Sequence, residues 1–258
     1  GIRAEIISDD LKSKLMEMPP SDILEGTEWR GLGKRIPLDN TRIIKYKSGN
    51  IYEGETKDGK RHGKGKMIYT DGRVFEGEFK NNKRNGMGKD IYANGYTYEG
   101  EYMNNNQHGM GKEKYPEGHI YEGEFKNDER NGKGIMTFSD DVGLIYEGEY
   151  KNGNMHGKGK MTYLFIEGIF GEMVKDGRVF EGEFKNDNRG KKGKMTYPDG
   201  SVYQGELDYI YKHGKGKLIY PDGSTYEGNF KYDKKHGMGK MTYPDGYTYE
   251  GEYKNNKQ

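Results

Sequence analysis

Aromatic and glycine residues alternate with charged residues in short stretches that return along most of the chain. In the stretch that opens at Phe75, positions 1, 3 and 5 are aromatic, glycine and aromatic, and positions 2 and 4 are glutamate. A second alternating stretch, Gly86–Tyr92, occupies positions 12–18. Alternation with a period of two is typical of β-strands with one face toward a core. The pattern therefore predicts two strands in each block.

Turn residues separate these predicted strands. The polar stretch Lys80–Asn85 lies between the two strands, and Pro-Asp-Gly follows the second strand in later blocks, as at Pro198–Gly200. Turns favour Pro, Asp, Asn and Gly, each for its own conformational reason. Each block is therefore predicted to be a β-hairpin with a polar loop over positions 6–11, joined to the next hairpin by a short turn.

The block returns with a period of 23 residues, lengthened to 25 after Tyr121 and to 34 after Tyr146. A fixed period of this length predicts an array of one supersecondary unit. We expect eight complete blocks and a partial ninth in residues 51–258, with an insertion at 164–174, and a separate region with a degenerate repeat in residues 1–50. The blocks open at Tyr52, Phe75, Tyr98, Tyr121, Tyr146, Phe180, Tyr203, Tyr226 and Tyr249.

The repeated string resembles the MORN (membrane occupation and recognition nexus) repeat. It reads Tyr-Glu-Gly-Glu-Phe/Tyr, then His/Asn-Gly-x-Gly-Lys, then Tyr-Pro-Asp-Gly, and it recurs nine times in register over residues 52–258. The resemblance implies an elongated ribbon of β-hairpins. It also implies roles in cytoskeletal and membrane-associated assemblies, including cilia, parasite cortical structures and membrane junctions. MORN arrays are found fused to lipid kinases and methyltransferases, so the regulatory array of a larger enzyme stays an alternative.

Composition favours aromatic packing over a conventional core. Hydrophobic residues make up only 31% of the chain and charged residues 33%, but aromatic residues reach 13% and recur at fixed positions. Glycine within a strand often marks a close approach by another group. We therefore expect an all-β, elongated, single-layer antiparallel ribbon in which rings lie over glycine backbone. On the opposite face, Glu76 and Glu78 are expected to pair with Lys89.

A short helix is predicted near the N-terminus. Ser8 is a favourable N-cap for residues 9–16, and the helix must end before Pro19. Leu11 and Leu15 share one face of this helix. The helix either covers the exposed first strand of the ribbon or binds a partner.

Five of the six histidines occupy position 11, directly before a glycine in most blocks: His62, His108, His156, His213 and His236. Asparagine replaces histidine in other blocks, and both residue types tolerate the left-handed backbone region. We expect turn residues with positive φ rather than metal ligands, because successive histidines are spaced along the array.

Composition and motif context both argue against catalysis. The absence of cysteine excludes disulfides, thiolate metal sites and cysteine nucleophiles. A net charge of +1 provides no basic field for nucleic acid. The Glu-x-Glu pairs recur along a flat face, whereas catalytic pairs need one particular pocket, and the Gly-x-Gly-Lys strings lack the context of a phosphate loop. We expect a protein that is not an enzyme and has no cofactor, metal or nucleic-acid partner.

Two apolar surfaces are candidates for protein partners. The aromatic face is expected to bind an apolar helix, unless the rings serve only to pack over glycine. Its sampled residues are Tyr98, Tyr102, Tyr115, Tyr121 and Phe125. The insertion is the most apolar stretch and forms either an extra hairpin or an exposed docking patch. Its candidate contacts are Phe165, Ile166, Ile169, Phe170 and Met173.

The hairpin loops are basic in several blocks and the opposite turns are acidic. A basic rim of this kind is expected to meet anionic lipid headgroups or acidic protein tails. Its residues are Lys57, Lys60, Arg61, Lys80, Lys83, Arg84, Lys231, Lys234 and Lys235.

The sequence therefore predicts a non-catalytic scaffold. The resemblance to MORN repeats implies that this scaffold is cytoplasmic and links cytoskeletal, including ciliary or axonemal, or membrane-associated assemblies. The alternative is a peripheral module that binds phosphoinositides or other anionic lipids. Self-association through the terminal hairpin at Tyr249–Tyr253 is a further expectation.

Overall fold

A computed structural model describes residues 41–139, 142–167 and 173–257. The predicted N-terminal helix at residues 9–16 lies outside the described residues. Every regular element within those ranges is a β-strand, which confirms the all-β class there. None of the described segments forms a helix of the length and apolar character that a membrane crossing requires. The chain divides into two compact units, with the boundary after Met136.

The first unit is an antiparallel sheet in which each strand from the first to the eighth pairs with its successor. Its strands are β1 (Thr41–Lys45), β2 (Ile51–Lys57), β3 (Lys60–Ile68), β4 (Val74–Lys80), β5 (Lys83–Ile91), β6 (Thr97–Met103), β7 (Asn106–Lys114), β8 (Ile120–Lys126) and β9 (Glu129–Thr137). In this unit, the first strand of each complete block is seven residues long and the second is nine, so one hairpin is repeated with little change.

The second unit repeats the same antiparallel pairing, interrupted by the insertion. Its strands are β10 (Leu144–Lys151), β11 (Asn154–Tyr163), β12 (Phe165–Glu167), β13 (Met173–Lys175), β14 (Val179–Lys185), β15 (Asn188–Thr196), β16 (Val202–Asp208), β17 (Tyr211–Ile219), β18 (Thr225–Lys231), β19 (Lys234–Thr242) and β20 (Thr248–Tyr253). The short strands β12 and β13 pair with each other, whereas β11 pairs with β14 across the insertion. The insertion therefore leaves the register of the repeats intact.

The hairpin loops are shorter than the sequence predicted. Strand β4 extends to Lys80 and β5 begins at Lys83, so only Asn81 and Asn82 form the turn. Their φ angles are 49° and 71°, and two successive positive φ values match the right-handed twist of a β-hairpin. The predicted six-residue loop was wrong because the ends of these strands are exposed and polar, which resembles a loop in sequence.

A β-bulge, rather than a turn, surrounds the histidines at position 11. His62 lies within β3, and the positive φ of 61° belongs to Gly63, so the predicted backbone conformation of the histidines was wrong. The pairing of β2 with β3 shifts register opposite Glu55. The carboxylate of Glu55 accepts a hydrogen bond of 2.9 Å from the backbone N–H of Lys64. The glutamate at position 4 therefore satisfies the backbone that the bulge leaves unpaired.

Aromatic rings cover glycine backbone, as the sequence predicted. We call the sheet face that carries positions 1, 3, 5, 14, 16 and 18 the inner face, and the opposite one the outer face. On the inner face, a Cβ atom added to Gly88 would lie 2.5 Å from Cζ of Phe75. In the same way, the ring of Tyr52 covers Gly65, and its hydroxyl donates a 2.6 Å hydrogen bond to the carbonyl oxygen of Glu55.

Neighbouring blocks are connected through edge-to-face ring pairs. In the first unit, successive ring centroids lie 5.1–5.3 Å apart with interplanar angles of 83–87°, an arrangement that the ring quadrupole favours. The rings follow one another in the order Tyr52, Phe79, Phe75, Tyr102, Tyr98, Phe125 and Tyr121. This line of rings forms the core of the unit, and its position 1 tyrosines are fully buried.

A pair of hydrogen bonds at the hairpin turns also connects neighbouring blocks. The backbone N–H of Asn82 donates to the carbonyl oxygen of Arg61 at 3.0 Å, and Oδ1 of Asn82 accepts from the N–H of Arg61 at 2.8 Å. We call this arrangement the turn clamp. The residues at position 8 that form it are Asn82, Asn105, Asp128, Asp187, Asp233 and Asn256.

The contact between β15 and β16 differs from those of the other repeats. Ile210 occupies position 8 and has no side-chain acceptor for a turn clamp, and Leu207 replaces the ring at position 5. Both side chains are buried. Within residues 173–257, the line of rings is consequently interrupted between Phe180 and Tyr203.

We expect Gly88→Ala to lower the free energy of unfolding by about 1–3 kcal/mol, because the new methyl group would displace the ring of Phe75. Phe75→Ala alone should cost about 3–5 kcal/mol. If the ring is what excludes the methyl group, Gly88→Ala should add almost nothing in the Phe75→Ala background. Urea unfolding of the four proteins measures this coupling, and additive losses would contradict it.

Asn82→Gly should lower the free energy of unfolding by about 0.5–1.5 kcal/mol, because glycine keeps the positive φ and removes the acceptor of the turn clamp. Asn81→Gly is the matched control, since Asn81 lies in the same turn with positive φ and has no clamp hydrogen bond. It should change stability by less than about 0.5 kcal/mol. Equal effects of the two substitutions would show that the clamp contributes nothing.

Candidate protein-interaction surfaces

The predicted aromatic groove is mostly filled by the chain itself. Tyr98 and Tyr121 are 0% exposed, and Tyr102 and Phe125 are 3% exposed. Glycine backbone and neighbouring rings surround these four side chains, so none of them offers surface to a partner. Tyr115 is half-buried and is the member of the predicted set that a partner could contact without displacing a ring.

Asp90 is a buried charge that sequence reasoning missed. It occupies position 16 on the inner face and is 1% exposed. Arg73 binds it through Nε at 2.6 Å and Nη2 at 2.5 Å, and Nη1 of Arg84 binds it at 2.5 Å. The hydroxyl of Tyr102 donates a further hydrogen bond of 2.9 Å to Asp90. Burial and the nearby carboxylate raise the pKa of Tyr102, so its hydroxyl stays protonated as a donor.

The next block repeats this arrangement with Glu113 at position 16. The hydroxyls of Tyr96 and Tyr115 donate to its two carboxylate oxygens at 2.5 Å and 3.0 Å, and Nε of Arg130 donates at 2.8 Å. Burial raises the pKa of Tyr115 to about 12, and the negative charge of Glu113 acts in the same direction. The first unit therefore has two ionic centres on its inner face, each enclosed by guanidinium and phenol groups.

The signal for these centres was present in the repeat pattern. Position 16 is apolar in the other complete blocks, at Met67, Met136, Met161, Met195, Leu218 and Met241. Two carboxylates in successive blocks at an otherwise apolar position indicate a specialised segment. Buried carboxylates need paired cations, and Arg73, Arg84 and Arg130 each lie in the same block as one of the two carboxylates or in an adjacent block.

Position 18 supplies a second row of tyrosines, which stay half-buried. They are Tyr69, Tyr92 and Tyr115 in the first unit, and Tyr197, Tyr220 and Tyr243 in the second. Cations lie over several of them: the guanidinium carbon of Arg73 is 4.6 Å from the ring centroid of Tyr92, and Nζ of Lys212 is 4.4 Å from that of Tyr197. This row presents rings and charges together at the surface of the inner face.

The predicted basic rim is smaller than the sequence indicated. Lys57, Lys60, Lys80, Lys83, Lys231 and Lys234 are exposed at the hairpin turns. The three residues at position 10 instead turn onto the inner face, so placing them on the rim was wrong. Arg61 lies 5.3 Å from the ring centroid of Phe79, Arg84 binds Asp90, and Nζ of Lys235 lies 5.1 Å from the ring centroid of Tyr226.

Cation–π attraction and shielding of the rings explain this inward orientation. A residue at position 10 has a side chain long enough to reach over the rings, and the aliphatic stem covers apolar surface that a single sheet would otherwise expose. Burial lowers the pKa of Lys235, which is consistent with its position over the rings.

The insertion forms the extra hairpin that was one of its two predicted structures. Phe165 and Val174 lie on its paired strands and are 37% and 43% exposed. The backbone N–H of Leu164 donates a 2.7 Å hydrogen bond to the carbonyl oxygen of Gly143, which fixes the base of the hairpin. Ile169 and Phe170 lie outside the described residues, and the side chains of Ile166 and Met173 are not described. A docking role for this hairpin stays a prediction.

The outer face carries a row of alternating charges. In the first unit, Glu53, Lys66, Glu76, Lys89, Glu99, Lys112 and Glu122 lie opposite one another in successive strands. Each lysine forms an ion pair with the glutamate of the next block: Lys66 with Glu76 at 2.6 Å and Lys89 with Glu99 at 3.2 Å. The prediction that Lys89 lies opposite Glu76 is confirmed by the strand register, but its ion pair is with Glu99, and the predicted pairing with Glu78 was wrong. Glu78 instead accepts a 3.3 Å hydrogen bond from the N–H of Met87, at the bulge.

Across residues 41–139, 142–167 and 173–257, no group of three or more histidine, aspartate or glutamate residues is arranged to hold a metal ion. The five histidines at position 11 lie in separate strands, β3, β7, β11, β17 and β19. The chemical features of the described surfaces are thus rings, cations and carboxylates in repeated rows.

Asp90→Asn should lower the free energy of unfolding by about 3 kcal/mol, because it leaves the guanidinium groups of Arg73 and Arg84 without their buried counter-charge. Glu99→Gln is the matched control, since its ion pair with Lys89 is about one-third exposed and should contribute less than about 1 kcal/mol. Thermal and urea unfolding of both variants test the difference. A loss for Asp90→Asn no larger than that for Glu99→Gln would contradict the structural role of Asp90.

Two solved domains are among the structures to which this chain is similar. The TCP10 domain of Danio rerio CPAP, in complex with a peptide of Danio rerio STIL, is 14% identical, covers 86% of this chain and 99% of its own, and has a TM-score of 0.46. The SAS-4 (dCPAP) TCP domain of Drosophila melanogaster, in complex with a proline-rich motif of Ana2, is 12% identical, covers 88% and 98%, and has a TM-score of 0.29. Likenesses this distant carry no argument about function.

No curated protein sequence matches the chain significantly. The MORN repeat, by contrast, matches it nine times, at residues 52–72, 75–95, 98–120, 121–141, 146–163, 180–202, 203–225, 226–246 and 249–258. These matches cover more than half of the chain and begin at the opening aromatic residue of every block. The chain therefore belongs to the MORN repeat family.

Proposed function

We propose that this array is a non-catalytic scaffold that binds a protein partner on the inner face of its first unit. The observation that carries the proposal is the half-buried row of Tyr69, Tyr92 and Tyr115 beside the two ionic centres. Tyrosine and arginine are the residues most enriched where protein interfaces gain their binding energy. A repeated, shallow surface of this composition suits an extended or helical segment.

The buried rings support this surface without taking part in it. The ion pairs of Asp90 and Glu113 hold Arg73, Arg84 and Arg130 in place, together with the hydroxyls of Tyr96 and Tyr115. A partner would therefore meet side chains that are already ordered, which reduces the entropy lost on binding. The buried carboxylates position the surface groups.

We further propose that this scaffold belongs to a cytoskeletal, ciliary or membrane-associated assembly in the cytoplasm. Membership of the MORN family is consistent with that setting. It is also consistent with the regulatory array of a larger enzyme. In either setting, the array itself would act by binding.

The proposal is tested by photo-crosslinking at two adjacent positions that face opposite ways. A photoreactive phenylalanine derivative at Tyr92 lies on the inner face, and the same group at Ile91, which is 40% exposed, lies on the outer face. In native extract, we expect a discrete crosslinked protein from position 92 and none from position 91. Equal crosslinking at both positions, or none at position 92, would overturn the assignment of the inner face.

Binding to anionic lipid is a second candidate function, and the six exposed lysines of the basic rim favour it. Each well-placed cation near an anionic surface contributes about 1 kcal/mol. Lys80→Gln with Lys83→Gln should then weaken co-sedimentation with phosphoinositide vesicles several-fold. Lys64→Gln with Lys158→Gln, which removes two exposed lysines of the outer face, is the control and should leave it unchanged. Unaltered vesicle binding by the variant with Lys80→Gln and Lys83→Gln would contradict lipid binding through the basic rim.

A further inference from the structure

We propose that the outer face of the second unit binds an acidic protein segment, one carboxylate of which lies over Gln204 and completes the alternating row of charges. The proposal rests on the protein-binding function proposed above and adds a second surface with a defined partner chemistry. At Gln204, the second unit departs from the repeat pattern of this face.

Gln204 is the one residue at position 2 that is not glutamate. The corresponding residues of the other blocks are Glu53, Glu76, Glu99, Glu122, Glu147, Glu181, Glu227 and Glu250. In the sheet, Gln204 lies directly opposite Lys194 on one side and Lys217 on the other. Lys194 and Lys217 therefore lack, between them, the negative charge that a glutamate supplies at position 2 of the other blocks.

The two flanking lysines are held more loosely than their counterparts in the first unit. There, lysine pairs with the next block's glutamate at 2.6–3.2 Å, and the lysine side chains are 24–36% exposed. In the next block, Lys194 faces Gln204 instead of a glutamate. Its Nζ lies 3.4 Å from Oε1 of Glu181 in its own block, and Nζ of Lys217 lies 3.8 Å from Oε2 of Glu227 in the next block. Their side chains are 44% and 48% exposed. Both ammonium groups are available to a further carboxylate.

The surrounding outer face is basic, in contrast to the same surface of the first unit. Positions 2, 4, 13 and 15 on β15–β18 hold four lysines and two glutamates, a net charge of +2. The same positions on β5–β8 hold two lysines and four glutamates, a net charge of −2. The residues on β15–β18 are Lys192, Lys194, Gln204, Glu206, Lys215, Lys217, Glu227 and Asn229. The same positions on β5–β8 can therefore serve as the control surface for those on β15–β18.

The spacing of the lysines fits an extended segment. Lys194 and Lys217 lie two strands apart, which is about 9.6 Å, and Lys192 and Lys194 lie two residues apart on one strand, about 7 Å. An extended segment along β16, with acidic residues at alternate positions, would place one carboxylate between Lys194 and Lys217. Its next carboxylate on the same side would lie near Lys192.

A protein segment suits this face better than a flat membrane does. Glu206 and Glu227 lie on the same face within the basic area, and Glu181 lies beside it on β14. A membrane plane would bring these carboxylates against anionic headgroups, which is unfavourable, whereas a narrow segment contacts the lysines selectively. Anionic vesicles are therefore the alternative ligand that the experiment must separate.

The test uses a fluorescent peptide of four Glu-Thr repeats and the whole chain. Fluorescence anisotropy at low salt should show binding that weakens at least tenfold between 50 and 300 mM salt. Gln204→Glu supplies the missing carboxylate within the chain and should weaken binding at least fivefold. This variant restores the residue that the other blocks have at position 2, so we expect it to fold. A peptide of four Gln-Thr repeats should not bind.

A matched pair of variants locates the site. Lys194→Gln with Lys217→Gln should abolish peptide binding, while Lys89→Gln with Lys112→Gln, at the same positions of the first unit, should leave it unchanged. Equal binding by wild type and Gln204→Glu, or no binding by wild type, would overturn the proposal. So would anionic vesicles binding in a Gln204-dependent manner while the peptide does not. Crosslinking at Tyr92 reports separately on the inner face, so the two proposals can fail independently.

Discussion

The fold depends on a single steric requirement, which is that a large ring lies where a neighbouring residue has no side chain. Phe75 over Gly88 and Tyr52 over Gly65 show why the glycines cannot be replaced without moving a ring. Because the rings also contact one another edge to face, burial extends from block to block without a second layer of structure in the described residues. A chain with few aliphatic residues can in this way form an ordered core.

The features that every block shares could be predicted from the sequence, whereas the turns, the bulges and the side-chain contacts of individual blocks could not. The period, the two strands of each block and the rings over glycine followed from alternation, because one face of each strand is buried. The two-residue turns and the bulge at Gly63 did not, because exposed strand ends are as polar as loops. The ionic centre at Asp90 depends on side chains from β5, from β6 and from the connection before β4, which a linear pattern does not bring together. The inward orientation of Arg61 depends on cation–π contact, which composition alone cannot distinguish from a basic rim.

The two faces of the sheet differ in how their side chains are used. The inner face uses its rings for packing and exposes mainly the tyrosine row, while the outer face uses paired charges that contribute little stability individually. Departures at single repeat positions therefore change one face locally while the strand register is kept. Asp90 and Glu113 at position 16 change the inner face of the first unit, and Gln204 at position 2 changes the outer face of the second.

The contact between β15 and β16 has a mechanical consequence. Leu207 and Ile210 replace the ring and the clamp residue at the same boundary, so neither an edge-to-face ring pair nor a turn clamp resists separation there. When a load is applied across the strands, or the array bends to follow a curved support, this boundary should yield before the others in the second unit. The repeats on either side would then separate or rotate about this boundary first.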